Sequence, residues 1–183
     1  MGKRNKMLYN RYFRDGEDIW IFEKYSTMKN DDKKIYLGVY GIFIQNEKIL
    51  VIKKARGPYT GQYDLPGGGL NFDENVEDAL KREFVEETNA VIKETNLIGI
   101  NEYRCQYKKE DGKMKDFHHL GIYYKVDITV ENLKTSPDGQ DSNGALFVDI
   151  KDLNSKNTSP IAFGMILKAY TLSSTTKSTT ENN

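Results

Sequence analysis

The stretch that decides the fold is Gly67-Gly-Gly-Leu-Asn-Phe-Asp-Glu74-Asn-Val-Glu-Asp-Ala-Leu-Lys-Arg82-Glu83-Phe-Val-Glu86-Glu87-Thr-Asn-Ala90. A glycine turn leads into a predicted helix from about residue 74 to residue 87, and this helix carries Glu83, Glu86 and Glu87. Side chains three and four residues apart share one side of a helix. Like charges held so close repel one another, so the spacing favours a divalent cation among them.

The helical phase indicates which way these three glutamates face. At about 100° per residue, the apolar residues form one stripe, Val76, Leu80 and Phe84, and the glutamates fall within or beside it. Arg82 is predicted to point the other way, towards solvent. A solvated, charged helix is the ordinary alternative, but carboxylates on an inward face cost several kcal/mol each without compensation. Because the ligands are oxygens, the pattern favours Mg²⁺, or Mn²⁺, over zinc.

The spacing of these residues also resembles a known motif. Gly68, five residues, Glu74, seven residues and then Arg82-Glu83-Phe84-x-Glu86-Glu87 is similar to the Nudix box of the MutT-like hydrolases. The next places in the pattern, Gly and an aliphatic residue, hold Asn89 and Ala90, and we expect Asn89 to adopt a positive φ. The resemblance covers about residues 35–172.

Fold and activity follow from the resemblance as expectations. It implies a Nudix-type α/β/α sandwich with a mixed β-sheet. It also implies a hydrolase that cleaves a phosphoanhydride bond in a nucleoside diphosphate linked to another moiety, such as a nucleotide sugar or a dinucleoside polyphosphate. The alternatives are a nucleoside triphosphate pyrophosphohydrolase and a non-catalytic, nucleotide-binding Nudix domain. The chain keeps all the box glutamates, which favours an enzyme.

The resemblance also implies roles for the residues of the box. The metal ligands are the carbonyl of Gly67 and the side chains of Glu83, Glu86 and Glu87, with Mg²⁺ or Mn²⁺ as the cofactor. Glu83, Glu87 and Arg82 form the catalytic group, in which Arg82 holds the glutamates in register.

Two further roles belong to the surrounding loops. By the resemblance, Gly68 and Glu74 brace the glycine loop on the helix. The general base is either Glu83 or an acidic residue at Asp138 or Asp141.

The expected substrate is a nucleotide-type small molecule, because Mg²⁺ prefers to share its ligands with phosphates. Lys54 and Arg56 follow a predicted strand and precede the glycine turn, so they are candidates to receive phosphates; a solvated strand end is the alternative. Tyr107 lies seventeen residues past Ala90, where the resemblance associates a tyrosine with ADP-ribose or dinucleoside polyphosphates. His118 and His119 alternate across a predicted strand, so one ring faces in and the other out.

Composition limits the other classes of function. The 183 residues include 27 Lys+Arg and 27 Asp+Glu, so the net charge is zero. This balance argues against a stable nucleic-acid complex, and no stretch approaches the length of a membrane span. The single cysteine, Cys105, is read as structural and indicates a reducing, cytoplasmic location. A homodimer is compatible with these features.

The chain is predicted to have three parts. Residues 1–34 form an N-terminal extension with a short strand or lid, in which Trp20, Ile21 and Phe22 are expected to pack in a core. Residues 35–172 form the Nudix domain, and the Ser/Thr-rich residues 173–183 are predicted to be disordered. Within the domain, strands are predicted at 35–44, 49–52, 63–65, 91–106, 117–130 and 145–150, with a last helix at 160–171.

Overall fold

The computed structural model describes residues 8–14, 17–23, 33–109, 111–137, 139 and 141–180. The chain divides into two compact units, residues 1–31 and 32–183. In the first unit, β1 (Leu8–Arg14) pairs antiparallel with β2 (Glu17–Glu23), so the predicted strand around Trp20 is present. The prediction of a core role for Trp20, Ile21 and Phe22 concerns side chains outside those described.

The second unit contains two sheets and two α-helices. Its strands are β3 (Lys33–Ile42), β4 (Ile44–Gln45), β5 (Lys48–Lys54), β6 (Tyr63–Asp64), β7 (Gly67–Gly69), β8 (Val91–Lys108), β9 (Met114–Thr129) and β10 (Ser142–Asp149). Its helices are α1 (Val76–Thr88), a short 3-10 helix (Ile150–Asp152) and α2 (Pro160–Thr180). One sheet has the order β7-β3-β9-β8, and the other has the order β10-β5-β4 with β6 beside β5.

Strand alternation explains the layers. In β5, Leu50 and Ile52 belong to the core cluster that includes residues of α1, whereas Ile49 and Val51 belong to the cluster that includes residues of α2. Successive strand residues point to opposite faces, so a strand that is apolar at every position is buried on both sides. The pairing of β3 with β9 is parallel and the other strand pairs are antiparallel, which gives a mixed sheet. The predicted α/β/α sandwich is confirmed.

Both ends of α1 are capped by asparagines. The side chain of Asn75 accepts a hydrogen bond from the backbone N–H of Asp78 at 2.9 Å, so the helix begins after Asn75 and not at Glu74 as predicted. Asn89 has φ 60° and its N–H bonds to the carbonyl of Val85 at 3.0 Å. The positive φ predicted for Asn89 is therefore confirmed.

The glycine segment that precedes α1 is more than a turn. Residues Gly67–Gly69 form the edge strand β7, in which Gly67 lies opposite Tyr40 of β3. Gly67 has φ 143°, and a Cβ at this position would collide with the carbonyl oxygen of Val39. Only glycine lets the backbone pass so close to β3, and this position brings the start of the loop against α1.

Two further boundaries differ from the prediction. The strands predicted at 35–44 and 49–52 come closer together than expected, because β4 extends to Gln45 and β5 begins at Lys48. Asn46 and Glu47 both have positive φ, 50° and 60°, and make the two-residue hairpin turn between them. Helix α2 continues to Thr180 instead of ending at Thr171 as predicted. No Gly or Pro follows Thr171 to stop it, and the Thr171 hydroxyl bonds to the carbonyl of Leu167 at 2.9 Å. Neither helix of the described chain has the length and apolar character needed to cross a membrane.

Candidate active site

Arg82 connects the acidic residues of the site. Its Nε and Nη2 donate to Oε1 and Oε2 of Glu74 at 2.8 and 2.9 Å. Its Nη1 donates to Oε1 of Glu83 at 2.7 Å and to Oε2 of Glu86 at 3.3 Å, and Nη2 also donates to the carbonyl of Gly69 at 3.0 Å. The prediction from helical phase that Arg82 points into solvent is wrong, whereas the contact with the glutamates that the resemblance implies is present. Its side chain is long enough to fold back over the helix, and it is only 28% exposed.

Glu74 ties the glycine loop to α1. Besides its two bonds from Arg82, Oε2 of Glu74 accepts from the backbone N–H of Asn71 at 3.1 Å. The hydrogen bond from Arg82 is the main reason that the pKa of Glu74 is lowered to about 2. Glu74 is therefore held ionised at the point where the loop between β7 and α1 turns into the helix.

The three glutamates of α1 differ in burial. Glu87 is 3% exposed and the Glu83 side chain 18% exposed, whereas the Glu86 side chain is 55% exposed. The prediction that all three face the protein is wrong for Glu86, because at about 100° per residue it lies roughly 80° outside the apolar stripe, whereas Glu83 and Glu87 lie within about 20° of Val76. Oε2 of Glu87 accepts from the backbone N–H of Gly67 at 2.9 Å, which joins α1 to β7.

Burial also changes the acidity of this group. Loss of solvent raises the pKa of Glu87 to about 8, against the opposing effects of Lys54 and the Gly67 N–H. Burial likewise raises the pKa of Glu83, and Arg82 opposes this. For both Glu83 and Glu87, the loss of solvent therefore outweighs the stabilisation of the ionised form by nearby positive charge.

The residues around Glu83 and Glu87 suit a hard divalent cation. The side-chain atoms of Glu83 and Glu87 that could bind a metal are carboxylate oxygens, which is the ligand type that Mg²⁺ and Mn²⁺ prefer. A Cβ on Gly68 would lie 2.5 Å from the Glu83 carboxylate, so glycine leaves the space that this carboxylate needs. Within the described part of the chain, no three acidic, His or Cys side chains already converge as a ligand set. Arg82 Nη1 instead lies between Glu83 and Glu86.

A cavity of about 760 Å³ is lined in part by residues of β3. The three glutamates do not line it, but the lining residue Tyr40 lies opposite Gly67, whose backbone N–H bonds to Glu87. Its aromatic lining comes from three adjacent strands and one loop: Tyr36, Tyr40, Tyr59, Tyr107, Phe117 and His119. Its charged lining residues are Lys34, Lys54, Arg56, Asp64, Lys108, Lys109, Asp111 and Asp141. The aromatic residues of each strand are spaced by even numbers, so they share one face of the sheet.

Tyr36 connects the cavity with the acidic group. It lines the cavity, and its pKa is raised by burial and then by the charges of Glu83, Asp141 and Glu87. Its ring lies 5.9 Å from that of Phe117 and 5.0 Å from that of His119. The aromatic face therefore begins beside the carboxylates and continues away from them along the sheet.

His119 is a buried, neutral member of this face. Its Nε2 lies 2.7 Å from the hydroxyl of Tyr40, and its Nδ1 lies 3.3 Å from the hydroxyl of Tyr59. Burial lowers the pKa of His119 to about 4, and Lys54 contributes in the same direction. His118 is on the other side of the strand, where its Nε2 lies 2.8 Å from Glu102. The predicted alternation of the two rings is confirmed.

The predicted phosphate-binding residues also reach the cavity. Lys54 Nζ lies 3.7 Å from Oδ2 of Asp141, and Arg56 Nε pairs with Oδ1 of the same carboxylate. The backbone carbonyl of Asp141 accepts from Ala55 at 2.8 Å, so this loop is fixed to the end of β5. Asp138, the other candidate base, lies outside the described residues.

The fold thus brings the predicted residues into two neighbouring groups. Arg82 and the glutamates meet the glycine segment, while Lys54 and Arg56 lie at the cavity. Sequence reasoning did not identify the aromatic lining. The alternation of Tyr36 with Tyr40, and of Phe117 with His119, was the signal that could have found it, together with Tyr107.

The chain is similar to known proteins both in sequence and in fold. A family model described as NUDIX domain matches residues 36–168. The ADP-ribose pyrophosphatase of Methanocaldococcus jannaschii is 33% identical over 138 residues, which cover 72% of this chain and 76% of that protein.

Two solved structures have a similar fold. The MutT NUDIX hydrolase from Burkholderia pseudomallei aligns with a TM-score of 0.52 and 22% identity, over 70% of this chain and 93% of that one. The NUDIX domain of Shewanella oneidensis NrtR, complexed with ADP ribose, aligns with a TM-score of 0.54 and 17% identity, over 78% and 90% of the two chains. At these identities the likeness concerns the fold alone.

Proposed function

We propose that this chain, which belongs to the Nudix family and is a pyrophosphohydrolase, hydrolyses the phosphoanhydride bond of ADP-ribose or of a closely similar nucleoside diphosphate conjugate. The observation that carries the proposal is the aromatic cavity beside Glu83 and Glu87, with Tyr36 facing both. The relative from Methanocaldococcus jannaschii, which carries the name ADP-ribose pyrophosphatase, supports the choice of substrate.

The cavity suits the nucleoside half of such a substrate. Its volume of about 760 Å³ falls in the range of small-molecule sites, roughly 300–1,000 Å³. Tyr36 and Tyr107 offer rings on which an adenine can stack, and stacking contributes about 1–3 kcal/mol per base. Phe117 is 7% exposed and supports both rings from below. Tyr107 is also the residue whose position the family resemblance associates with ADP-ribose or dinucleoside polyphosphates.

We propose that the diphosphate of the substrate lies between the cavity and the carboxylates. Lys54 and Arg56 supply positive charge at that end of the cavity, where both now pair with Asp141. Phosphate oxygens compete with Asp141 for the same cations, so binding of the substrate exchanges one ion pair for another. Arg56 also adds a guanidinium, whose planar donors match phosphate oxygens.

We assign the metal site to the carbonyl of Gly67 and to Glu83, Glu86 and Glu87, holding Mg²⁺ or Mn²⁺. When bound there, the ion would neutralise the negative charge that develops on the phosphoryl oxygens. Arg82 fixes Glu83 through Oε1, and Gly67 fixes Glu87 through its backbone N–H. These contacts hold the buried carboxylates in place before the substrate arrives.

We assign acceptance of the water proton to Glu83 in preference to Asp141. The Asp141 carboxylate is engaged by both Lys54 and Arg56, and it serves to hold those cations at the cavity. Glu83 Oε2 faces Gly68 and is the oxygen that Arg82 does not bond in this structure. No Ser, Cys or His is assigned as a nucleophile, so the proposed reaction is direct attack of water on phosphorus.

The test is hydrolysis of ADP-ribose with Mg²⁺ in ¹⁸O-labelled water, followed by mass spectrometry of the products. We expect AMP and ribose 5-phosphate, with the label on the phosphorus of one of them. Nucleotide sugars, diadenosine polyphosphates and nucleoside triphosphates are assayed in parallel. Faster cleavage of triphosphates would replace the proposal with the triphosphate alternative, and label only on carbon would exclude attack at phosphorus. Binding of ADP-ribose without turnover of any compound would indicate a non-catalytic domain.

A further inference from the structure

Three lysines line the end of the cavity that lies away from the carboxylates. Lys34 is on β3, whereas Lys108 ends β8 and Lys109 follows it. In the sheet, Lys34 lies opposite Phe117 of β9, and Phe117 lies opposite Cys105 of β8. Three adjacent strands therefore bring these lysines to one end of the aromatic face. We refer to Lys34, Lys108 and Lys109 as the outer lysines.

Lys108 and Lys109 lie beyond the part of the sheet that is next to the carboxylates. Tyr36, the lining residue beside Glu83 and Glu87, lies opposite His119 of β9. Lys108 lies opposite Met114, which precedes His119 by five residues, a separation of about 16 Å at 3.3 Å per residue. Lys34 is closer, because its Nζ lies over the Tyr36 ring. The scissile diphosphate is assigned to Lys54 and Arg56, so an anion bound by the outer lysines is a second anionic group.

The charges at the two ends of the cavity differ. Lys54 and Arg56 are both paired with Asp141 near the carboxylates. Within the described residues, no ion pair joins an acid to any outer lysine, and Asp111 is the acid that lines the cavity at their end. Lys34 Nζ lies 5.0 Å from the ring centre of Tyr36, so this charge is held over the aromatic face. The net positive charge of the lining is thus concentrated at the outer end.

We propose that the outer lysines bind a phosphomonoester on the substrate, remote from the bond that is cleaved. The substrate class is then a nucleoside diphosphate conjugate with an additional phosphate on the ribose of its nucleoside half. This inference rests on the proposed function. The base stacks on Tyr36 or Tyr107, the diphosphate lies towards Lys54, and the third phosphate reaches the outer lysines. Lysine binds phosphate as a point charge and needs no fixed geometry, which suits exposed side chains of this kind.

The first test measures binding of nucleotides that cannot be hydrolysed at an anhydride bond. Calorimetry compares AMP with adenosine 2′,5′-bisphosphate and adenosine 3′,5′-bisphosphate, which separates the two positions of the ribose phosphate. We expect one bisphosphate to bind about tenfold more tightly than AMP at low salt. The advantage should shrink at about 0.5 M salt, because exposed charges are screened. Equal affinities of AMP and both bisphosphates would overturn the inference.

Variants show whether the outer lysines are responsible. The triple variant Lys34→Gln, Lys108→Gln and Lys109→Gln should remove the advantage of the bisphosphate over AMP. A matched triple variant removes the same charge from lysines that do not line the cavity: Lys33 of β3, Lys93 of β8 and Lys113 of the β8–β9 turn. This control should keep the advantage. An advantage that survives in the first variant, or is lost equally in both, would contradict the assignment.

Turnover separates this inference from the proposed function. ADP-ribose and its 2′- and 3′-phosphorylated forms are assayed, and we expect one phosphorylated form to have a KM several-fold lower. Hydrolysis of ADP-ribose with no such difference would overturn the inference alone. Hydrolysis of none of the three would overturn the proposed function, and the binding experiment would then decide the inference by itself.

Discussion

Two hydrogen bonds join Arg82 of α1 to Glu74 of the loop that precedes this helix. Nε and Nη2 of Arg82 lie 2.8 and 2.9 Å from the two carboxylate oxygens of Glu74. The remaining donor, Nη1, reaches Glu83 and Glu86. One guanidinium thus sets the position of the loop relative to the proposed metal ligands, a role that depends on its planar arrangement of donors.

Arg82→Lys should lower the turnover of ADP-ribose by roughly 10- to 100-fold, because an ammonium group keeps the charge but loses the parallel bonds. Circular dichroism should show the fold intact. Arg104→Lys is the matched control, since Arg104 also bonds a glutamate, Glu102, at 2.8 Å but lies outside the site. Equal losses in the two variants would argue against the positioning role.

Gly68→Ala should damage the site by steric pressure on Glu83. The added Cβ would lie 2.5 Å from that carboxylate before any relaxation. Overpacking of this kind lowers the free energy of unfolding by about 1–3 kcal/mol. Gly164→Ala is the control, because nothing lies within 4 Å of its added carbon. In a helix this change should stabilise the protein by about 0.5–1 kcal/mol. Urea titrations of both variants test the prediction, and a Gly68→Ala protein as stable and active as wild type would refute it.

Mg²⁺ should raise the melting temperature of the wild-type protein. A ligand that binds only the folded state adds about 2.7 kcal/mol at 100 times its Kd. Glu83→Gln and Glu87→Gln should abolish both this shift and the activity, since a neutral amide cannot replace a carboxylate on the ion. Glu131→Gln removes one exposed charge on the loop after β9 and should keep the shift. A full Mg²⁺ shift in either site variant would remove that residue from the ligand set.

The burial of His119 predicts a loss of stability in acid. Its pKa is about 4 in the folded protein and about 6.5 when unfolded, so between these values the unfolded chain binds more protons. His119 should therefore lower the free energy of unfolding as the pH drops from about 6.5 to 4, by up to about 1.4 kcal/mol per pH unit. Glu87, whose pKa is raised from 4.5 to about 8, contributes a slope of the opposite sign between those two values. The difference between the wild-type and His119→Asn curves isolates the contribution of His119, and this difference should change with pH between about 4 and 6.5. Parallel curves for the two proteins would show that His119 titrates normally.

Deletion of residues 173–183 should leave stability and turnover unchanged. Among the side chains that the structure describes, the last of α2 to join the core are Ala169 and Tyr170, and Leu172 is 55% exposed. Residues 173–183 contain no apolar side chain, and helical residues without an apolar face to pack contribute little stability in water. Thermal melts and ADP-ribose assays of the full and shortened chains test this, and a clear loss of either property would mean that the tail has a partner.

The sequence by itself determined the features that depend on local spacing. The 3.6-residue period and the asparagine at position 89 predicted α1 and its end, and alternation predicted most of the strands. The spacing of Glu74, Arg82 and the three glutamates pointed to the Nudix family, which is confirmed. Each of these features lies within one continuous stretch of the chain, so local pattern alone reveals it.

Tertiary structure decided the features that depend on residues far apart in the chain. Gly67–Gly69 forms a strand because it pairs with β3. The Arg82 side chain folds over α1 because Glu74 and the carbonyl of Gly69 accept its hydrogen bonds. The cavity joins Tyr36, Tyr59, Tyr107 and Phe117 through the parallel pairing of β3 with β9 and the antiparallel pairing of β9 with β8. The turn between β8 and β9 fixes their register, but the paired residues of β3 and β9 lie 83 positions apart in the chain, so no turn or local pattern encodes their parallel pairing.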